Sequence, residues 1–370
     1  HFHADFVSGH VDLARKTGAT IVYGPNAEAA FDFHSAKDNE EFKIGDLTIK
    51  ALHTPGHTME STTYLLIDEN GKQHSIYTGD TLFIGDVGRP DLAVKTHLSQ
   101  EDLAGHLYDS LRNKIMVLPD DVIVYPGHGA GSACGKNMSE DTYDTLGHQK
   151  ETNYALRADM SKKEFIQEVL TGLVQPPQYF PKNVMMNKGI NTSYSDIIAH
   201  GVRPHPAPEF KQLMENTEEV IVLDTRHEQT FKDAFIPGSY NFNIDDNFAP
   251  WVGAVIENIE APILIVADDG REEEVVTRLA RVGYDNSIGY LQGGIEAWED
   301  AGYETDSIVS ITPDELKVKM MGKINIVDVR KKSEFDSEHV DYAGVVNRPL
   351  DFINKNMKEY DKNQEYYFHC

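Results

Sequence analysis

Four short segments in the first part of the chain carry histidines and aspartates in turns that follow β-like runs. They are His1-Phe2-His3-Ala4-Asp5-Phe6, Thr54-Pro55-Gly56-His57-Thr58, Thr78-Gly79-Asp80-Thr81 and Tyr125-Pro126-Gly127-His128-Gly129. Turns at strand ends hold polar side chains out into a cleft. Imidazoles and carboxylates together suit a first-row metal ion, so these four turns predict a metal centre.

Taken in order, the four segments resemble the successive signatures of the metallo-β-lactamase superfamily, whose fold is an αββα sandwich. The sequence departs from that pattern at Phe6. Two-metal hydrolases of the superfamily, glyoxalase II among them, carry at this position a histidine that binds the second metal. Phenylalanine has no lone pair to give. The remaining pattern resembles the persulfide dioxygenase branch, which holds a single iron.

Carried over by position, the resemblance implies that His1, His57 and Asp80 hold one Fe(II) per chain. Two imidazoles and one carboxylate with open positions are also the arrangement of non-haem Fe(II) oxygenases. Three further residues match other ligand positions of the superfamily: His3, Asp5 and His128. We expect these three to orient the ligands or bound water. A zinc site that keeps His3 is the alternative, because histidine and aspartate ligands do not exclude zinc.

Two other residues near these turns are candidates for contact with substrate. Arg89 lies in a Gly- and Pro-containing loop, and the family has a comparable stretch, so its guanidinium could bind the anionic part of a thiol cosubstrate. The alternative is a structural pair with Asp91 or Asp86. Cys134 follows His128 closely and is either a small buried thiol or a persulfide-carrying one, although nothing nearby clearly lowers its pKa.

Two hairpins are predicted to deliver the histidine and aspartate turns. Apolar residues alternate over 42–51 across Gly45-Asp46, and the run Thr62 to Ile67 is followed across a Gly-containing turn by His74 to Tyr77. Ser99 and Ser161 have the spacing of helix N-caps. Strands, then helix, then strand again fit half of the αββα sandwich.

Beyond the proline-stiffened linker Arg203 to Pro208, the chain repeats itself with a period of about a hundred residues, which indicates tandem domains. Strands ending in Asp224-Thr225-Arg226 and Asp328-Val329-Arg330 each lead through a helix-like run to an asparagine. These signatures resemble rhodanese, a doubly wound α/β sulfurtransferase domain. Leu291-Gln292-Gly293-Gly294-Ile295-Glu296-Ala297-Trp298 matches its C-terminal signature.

The two copies differ where rhodanese places its nucleophilic cysteine, directly after a strand and at a helix N-terminus that favours thiolate. The second copy has Cys370 there, which the resemblance makes the persulfide-forming nucleophile. The first copy has Asp268 at about that position, and a carboxylate cannot carry a sulfane sulfur. We expect the first copy to be catalytically inactive.

Length, charge and cysteine content limit the possible functions. At 370 residues the chain suggests two or three domains. A formal charge of −26 argues against nucleic acid and anionic membranes as partners, and no run is apolar enough to span a bilayer. Two cysteines cannot form a disulfide framework, so we expect a cytoplasmic protein.

We predict three domains: 1–204 with the metallo-β-lactamase fold, 205–306 as a degenerate rhodanese-like domain, and 307–370 as a rhodanese domain that ends at its cysteine. The ligand motif opens the sequence without a preceding strand. We therefore expect an internal portion of a longer protein, whose first domain lacks its N-terminal strands.

The resemblance implies an iron persulfide dioxygenase coupled to a sulfurtransferase, with sulfide and persulfide detoxification as its role. The expected partners are a small thiol persulfide of the glutathione, coenzyme A or bacillithiol type, O2, sulfite and thiosulfate. We also expect a homo-oligomer. Two other functions remain open: a zinc thioester hydrolase of the glyoxalase II type, and a non-enzymatic persulfide carrier or sensor that uses Cys370 alone.

Overall fold

The computed structural model describes residues 1–93, 98–136, 138–173, 176–189 and 192–370. The chain divides into two compact units, residues 1–194 with 281–283 and residues 195–280 with 284–370. The first unit contains the predicted metal ligands, and the second contains both repeats. Among the described residues of both units, no helix is both long enough and apolar enough to cross a membrane.

The first unit is built on strands β1 (Val22–Tyr23), β2 (His34–Ser35), β3 (Glu41–Ile44), β4 (Leu47–His53), β5 (Thr62–Ile67), β6 (Gln73–Gly79), β7 (Ile123–Pro126) and β8 (Asp144–Thr145). Its helices are α1 (His10–Thr17), α2 (Gln100–Ser110), α3 (Leu146–Thr152), α4 (Lys162–Leu170) and α5 (Phe180–Lys188). Strands β3 to β8 form one six-stranded sheet in chain order. Neighbouring strands are antiparallel except β6 and β7, which are parallel.

The two hairpins and both helix caps predicted for this unit are confirmed. Gly45, at φ +60°, turns β3 into β4, and Gly71, at φ +80°, turns β5 into β6. A positive φ is a conformation that glycine adopts without steric cost. Ser99 and Ser161 each accept a hydrogen bond from the backbone N–H three residues on, in complete capping boxes. The hairpin strands end directly before the turns that carry His57 and Asp80.

Helices α2 and α4 bury their apolar faces in the core of the first unit. The core includes strand residues Leu65, Ile76 and Val124, with Leu107 from α2 and Phe165 from α4. All five side chains are buried. Alternate strand residues point to this layer, as the period of two in their sequence predicts. The ends of the strands are thereby held in fixed positions.

The second unit contains strands β9 (Pro204–His205), β10 (Ile221–Asp224), β11 (Tyr240–Asn241), β12 (Ile263–Val266), β13 (Ser287–Leu291), β14 (Asn325–Asp328), β15 (Val345–Asn347) and β16 (Tyr366–His369). Its helices are α6 (Tyr194–Gly201), α7 (Ala207–Asn216), α8 (Glu228–Phe231), α9 (Phe248–Val255), α10 (Glu272–Ala280), α11 (Gly294–Asp300), α12 (Pro313–Lys319), α13 (Lys332–Ser337) and α14 (Ile353–Asn356). Two parallel sheets result, with strand orders β11-β10-β12-β13-β9 and β15-β14-β16.

Both repeats contain the same ion pair at the end of their first long strand. The Arg226 guanidinium donates to the Asp224 carboxylate and, through Nη2, to the Ala234 carbonyl. Arg330 does the same with Asp328 and the Glu338 carbonyl. Asp224 and Asp328 are fully buried, and a buried carboxylate is destabilising unless it is paired. The arginine therefore belongs to the framework of each repeat.

An asparagine joins the neighbouring strand to this ion pair in the same way in both repeats. Asn241 Nδ2 donates to the carbonyls of Asp224 and Arg226, at 3.1 and 2.9 Å. Asn347 Nδ2 donates to the equivalent carbonyls in the second repeat, also at 3.1 and 2.9 Å. The two repeats inferred from sequence thus contain matching contacts at this position.

Strand register identifies the residue of the first repeat that corresponds to the cysteine of the second. In the first repeat, Val266 ends β12 opposite the buried Asp224, and Ala267 follows. Since Val266 is the last residue paired with β10, the chain leaves the sheet at Ala267. The residue after it, Asp268, lies one position further along the loop.

In the second repeat, His369 ends β16 opposite the buried Asp328, and Cys370 follows. Register therefore equates Cys370 with Ala267, so the sequence-based alignment with Asp268 was wrong by one residue. Pairing between strands determines this register, and the single sequence does not show it. A methyl group stands where the second repeat has a thiol.

Truncating Leu107 should destabilise the first unit strongly, because its side chain is fully buried between α2 and the sheet. We expect Leu107→Ala to lower the free energy of unfolding by about 2–5 kcal/mol, the usual range for such cavities. Denaturant unfolding followed by circular dichroism measures the change. Leu13→Ala, on the exposed face of α1, is the control and should change stability little. Equal effects of the two substitutions would contradict the packing described here.

Candidate metal centre

Three side chains from separate turns converge at the ends of the first unit's strands. His1 Nε2 lies 3.4 Å and His57 Nε2 lies 3.5 Å from the same oxygen, Asp80 Oδ2. All three donor atoms lie within 4.8 Å of one another. The side chains of these residues are almost completely buried. The structure thus brings together the three residues predicted as ligands, and their role in binding a metal stays a prediction.

The hydrogen bonds of His1, His57 and Asp80 leave the three converging donor atoms free to bind an ion. His57 Nδ1 donates to the Arg89 carbonyl at 2.9 Å, which leaves the lone pair on Nε2. Burial lowers the pKa of His57 and keeps the imidazole neutral. Among the described residues, His1 Nε2 and Asp80 Oδ2 make no hydrogen bond although both atoms are buried. Buried polar atoms without partners are uncommon, so this donor set fits a bound cation.

His128 connects the Asp80 carboxylate to a second acidic residue. Its Nδ1 donates to Asp80 Oδ1 at 2.8 Å, and its Nε2 lies 2.8 Å from Asp5 Oδ2. Ser132 Oγ donates to the same Asp5 oxygen at 3.1 Å. Burial opposes a charge on His128, but hydrogen bonds to Asp5 and Asp80 raise its pKa to about 10. His128 thereby holds Asp80 Oδ1 in place, while Asp80 Oδ2 faces His1 and His57.

Phe6 and His3 form an aromatic wall beside this cluster. The His3 ring lies 4.5 Å from the Phe6 ring and 4.3 Å from the His1 ring, measured between centroids. The Phe6 ring lies 5.9 Å from that of His128. Burial, with His1 close by, lowers the pKa of His3 to about 3, so His3 is neutral. Nδ1 of His3 has no hydrogen-bond partner in the described chain.

Asp80 carries the negative charge around which the site is arranged. Burial by itself favours the neutral acid, but the His1 and His128 imidazoles, with a smaller contribution from His57, hold the pKa of Asp80 well below its usual range. A buried carboxylate is stable only when paired or coordinated. The site therefore presents an ionised oxygen and two imidazole nitrogens to one point.

Glycines allow the turns to approach one another closely. A Cβ on Gly88 would lie 1.9 Å from the Asp80 carbonyl oxygen, and one on Gly127 would lie 2.7 Å from Asp80 Oδ1. Gly56 has φ +150° and packs against the backbone of Leu107, 2.4 Å from the position of a Cβ. No side chain larger than hydrogen fits these positions without displacing its neighbour.

Hydroxyl groups and one amide also hold the turns, and no local sequence pattern predicts them. Thr54 Oγ1 and Thr81 Oγ1 are 2.9 Å apart and join the His57 turn to the Asp80 turn. Asn187, in α5, donates to the carbonyls of His3 and Phe6 at 2.8 and 2.7 Å. These partners are distant in sequence, so only the folded chain reveals them.

Arg89 and Cys134, the two candidate substrate contacts, are both buried. The Arg89 guanidinium donates through Nε and Nη2 to the two oxygens of Asp91, each at 2.7 Å. Arg89 N–H also donates to the Cys134 carbonyl. Burial and the carboxylates of Asp80 and Asp5 raise the pKa of Cys134 above its usual value. The pair with Asp91 is the structural alternative considered from sequence, and substrate contact by either residue stays a prediction.

Cys370 lies in the second unit, directly after β16, and is exposed. The residue before it, His369, has Nε2 3.3 Å from Asp328 Oδ2. In the first repeat, the corresponding position next to Asp224 is occupied by an apolar valine, Val266. The second repeat thus has both a thiol and an imidazole where the first has only apolar side chains.

Gly127 offers a sharp check on the position of Asp80. We expect Gly127→Ala to displace the Asp80 carboxylate, because the new methyl group would lie 2.7 Å from Oδ1. Metal affinity should fall at least tenfold, within the range seen when groups orienting a ligand are changed. Cobalt titration against a chelator measures it. Gly129→Ala, in the same turn with open space around its Cβ, should bind as the unchanged protein does; equal loss in both variants would contradict this geometry.

Comparison with known proteins gives independent information on each unit. A family model of the rhodanese-like domain matches residues 206–301. The crystal structure of a metallo-β-lactamase from Staphylococcus aureus is 30% identical in sequence, with a TM-score of 0.67, and the match covers 79% of this chain and 82% of that one. The predicted fold class, a metallo-β-lactamase fold followed by rhodanese-like structure, is confirmed.

Two further similarities concern shorter stretches. Hydroxyacylglutathione hydrolase from Dictyostelium discoideum is 36% identical over 130 residues, which are 35% of this chain and 45% of that protein. The chain spans about half the length of the curated relatives it matches. The ETHE1 structure from Myxococcus xanthus is 30% identical and covers 51% of this chain and 73% of its own, with a TM-score of 0.42. From the Staphylococcus structure and the family match, the chain belongs to the metallo-β-lactamase superfamily and carries a rhodanese-like domain at residues 206–301.

Proposed function

We propose that this protein is a mononuclear iron persulfide dioxygenase coupled to a sulfurtransferase. The observation that supports this best is the convergence of His1, His57 and Asp80 on one point, with Phe6 where a second-metal histidine would be needed. Two imidazoles and one carboxylate suit non-haem Fe(II) and leave coordination positions open. The proposed substrates are O2 and a small thiol persulfide of the glutathione, coenzyme A or bacillithiol type.

The proposed overall reaction is RSSH + O2 + H2O → RSH + SO3²⁻ + 2H⁺. Iron, when bound, would supply open positions that bring persulfide sulfur and O2 together and allow the spin-restricted oxygen to react. Its proposed ligands are His1, His57 and Asp80. The outer sulfur is oxidised from the sulfane state to sulfite, and O2 is reduced.

The surrounding residues have separate tasks in this proposal. The Arg89 carbonyl fixes the tautomer of His57, and His128 fixes the rotation of the Asp80 carboxylate. Such partners commonly determine the orientation and basicity of metal ligands. Phe6 and the neutral His3 line the site with aromatic rings, so a sulfur atom would meet a surface of low polarity there.

We assign the sulfurtransferase step to Cys370. The thiol accepts a sulfane sulfur, RSSH + Cys370-SH → RSH + Cys370-SSH, and sulfite then removes it as thiosulfate, Cys370-SSH + SO3²⁻ → Cys370-SH + S2O3²⁻. The position of the cysteine directly after a parallel strand supports this role. The first repeat has Ala267 at that position and no group that could carry sulfur, so we propose a non-catalytic role for the predicted domain 205–306.

A zinc thioester hydrolase is the second candidate function. The similarity to hydroxyacylglutathione hydrolase favours it, together with the presence of Asp5 and His128 close to Asp80. Thioester hydrolysis needs a metal-bound water rather than O2. Consumption of O2 with a persulfide, measured beside hydrolysis of S-lactoylglutathione, distinguishes the two functions. A protein active in neither assay would be left with the carrier or sensor role of Cys370.

One metal ion per chain, iron after anaerobic isolation, is the first expected result. It follows from the two-histidine, one-aspartate set and from the phenylalanine at position 6. Asp80→Asn should lose iron or O2 uptake, because a neutral amide is a poor ligand for this cation. Metal analysis together with an oxygen electrode measures both. Two tightly bound zinc ions, or full activity of His57→Ala, would contradict the assignment.

The two chemistries should respond independently to mutation. Cys370→Ser should abolish sulfane-sulfur transfer, because a hydroxyl cannot form a persulfide, while O2 uptake with a small thiol persulfide persists. The product should shift from thiosulfate towards sulfite, which chromatography of the two anions measures. Ser307→Ala, on an exposed segment of the same unit, is the control. Loss of O2 uptake in a folded, iron-loaded Cys370→Ser protein would instead mean that Cys370 delivers the persulfide to iron.

A further inference from the structure

Asn187, in the last turn of α5, contacts the segment that carries the first metal ligand. Its Nδ2 donates one hydrogen bond to the His3 carbonyl and another to the Phe6 carbonyl, at 2.8 and 2.7 Å. Its Oδ1 accepts from the backbone N–H of Ser8 at 2.8 Å. The Asn187 amide therefore uses both of its N–H donors and its oxygen acceptor on three residues within the stretch 3–8.

The position of Asn187 makes these contacts strong and specific. The side chain is fully buried, so water does not compete for its hydrogen bonds. Ser8 Oγ adds a fourth contact, 3.2 Å from Asn187 Oδ1, and lies 2.6 Å from His10 Nδ1. The amide thus fixes the path of the chain from His3 to the start of α1.

The next residue of α5 holds the same segment from another side. Lys188 Nζ lies 5.1 Å from the centre of the Phe2 ring, and the Lys188 carbonyl accepts from the backbone N–H of Ala30. Phe2 in turn stacks on Tyr23 with centroids 4.5 Å apart. Because Phe2 lies between His1 and His3, these contacts and those of Asn187 restrain the residues that directly follow the first ligand.

We propose that Asn187 is a positioning residue of the metal centre, acting through the backbone of residues 1–6 rather than through contact with the ion. The inference rests on the proposed metal site but not on the identity of the metal. His57 and Asp80 each follow a strand that is paired within the sheet. The segment that carries His1 is joined by the Asn187 amide to a helix that is distant in sequence.

The chain contains a matched control on the same helix. Asn183 lies one turn before Asn187, is also fully buried, and its amide has no hydrogen-bond partner among the described residues. Replacing an unpaired buried amide by an apolar group of similar size is nearly neutral or stabilising. Substitutions at 183 and 187 therefore alter the same helix at the same depth, but only one of them touches the ligand segment.

The experiment compares Asn187→Asp and Asn187→Leu with Asn183→Leu in the full chain. Each protein is titrated with Co(II) against a chelator, the d–d absorption of the bound ion is recorded, and thermal unfolding is measured on the metal-free protein. We expect the two Asn187 variants to bind Co(II) about 10–100-fold more weakly and to change the d–d spectrum. Asn183→Leu should leave both the affinity and the spectrum unchanged.

The possible results separate this inference from the proposed function. Folded Asn187 variants with unchanged Co(II) affinity and spectrum overturn the inference, provided that Asp80→Asn still weakens binding. If Asp80→Asn binds Co(II) as tightly as the unchanged protein, the metal site itself is wrong. Should Asn187→Asp and Asn187→Leu fail to fold, Asn187→Ala at low temperature gives the same comparison. A lower unfolding temperature with an unchanged spectrum means that Asn187 supports only the fold, and this also overturns the proposal.

Discussion

The first unit depends on keeping one carboxylate, Asp80, ionised while it is buried. Moving a carboxylate from water into a protein interior costs on the order of several kcal/mol unless other groups compensate its charge. Here His128 donates a hydrogen bond to Asp80 Oδ1, and His1 and His57 face Asp80 Oδ2. Four turns from distant parts of the sequence must meet for this to happen. The glycines at 88 and 127 make the approach sterically possible, and the sheet fixes where each turn begins.

Local features of this arrangement could be predicted from the sequence because their causes are local. The hairpins before His57 and Asp80 follow from alternating apolar residues and glycine turns, and the caps at Ser99 and Ser161 follow from residues three positions apart. The His and Asp turns were recognisable for the same reason. The sequence could not supply partners such as Asn187, which lies 184 residues from His3. Nor could it decide between substrate and Asp91 as the partner of Arg89.

The second unit shows how framework and chemistry can be separated in a duplicated fold. Both repeats keep the buried Asp–Arg pair and the asparagine that spans it, with hydrogen bonds of nearly the same length. They differ at the residues that follow the neighbouring strand, Ala267 in one and Cys370 in the other. The contacts that stabilise the parallel sheet do not involve the thiol. The framework of each copy therefore does not depend on which residue follows that strand.

The contrast between the two cysteines has a practical consequence for labelling. Cys134 is 1% exposed and its pKa is raised by burial, so it reacts slowly with electrophiles, whereas Cys370 is exposed. Thiolate, rather than thiol, is the nucleophile that attacks maleimides and iodoacetamides. Such a reagent will attach a fluorophore or spin label at Cys370 without removal of the other cysteine. Residues 1–370 therefore offer one readily labelled cysteine for spectroscopy of the second unit.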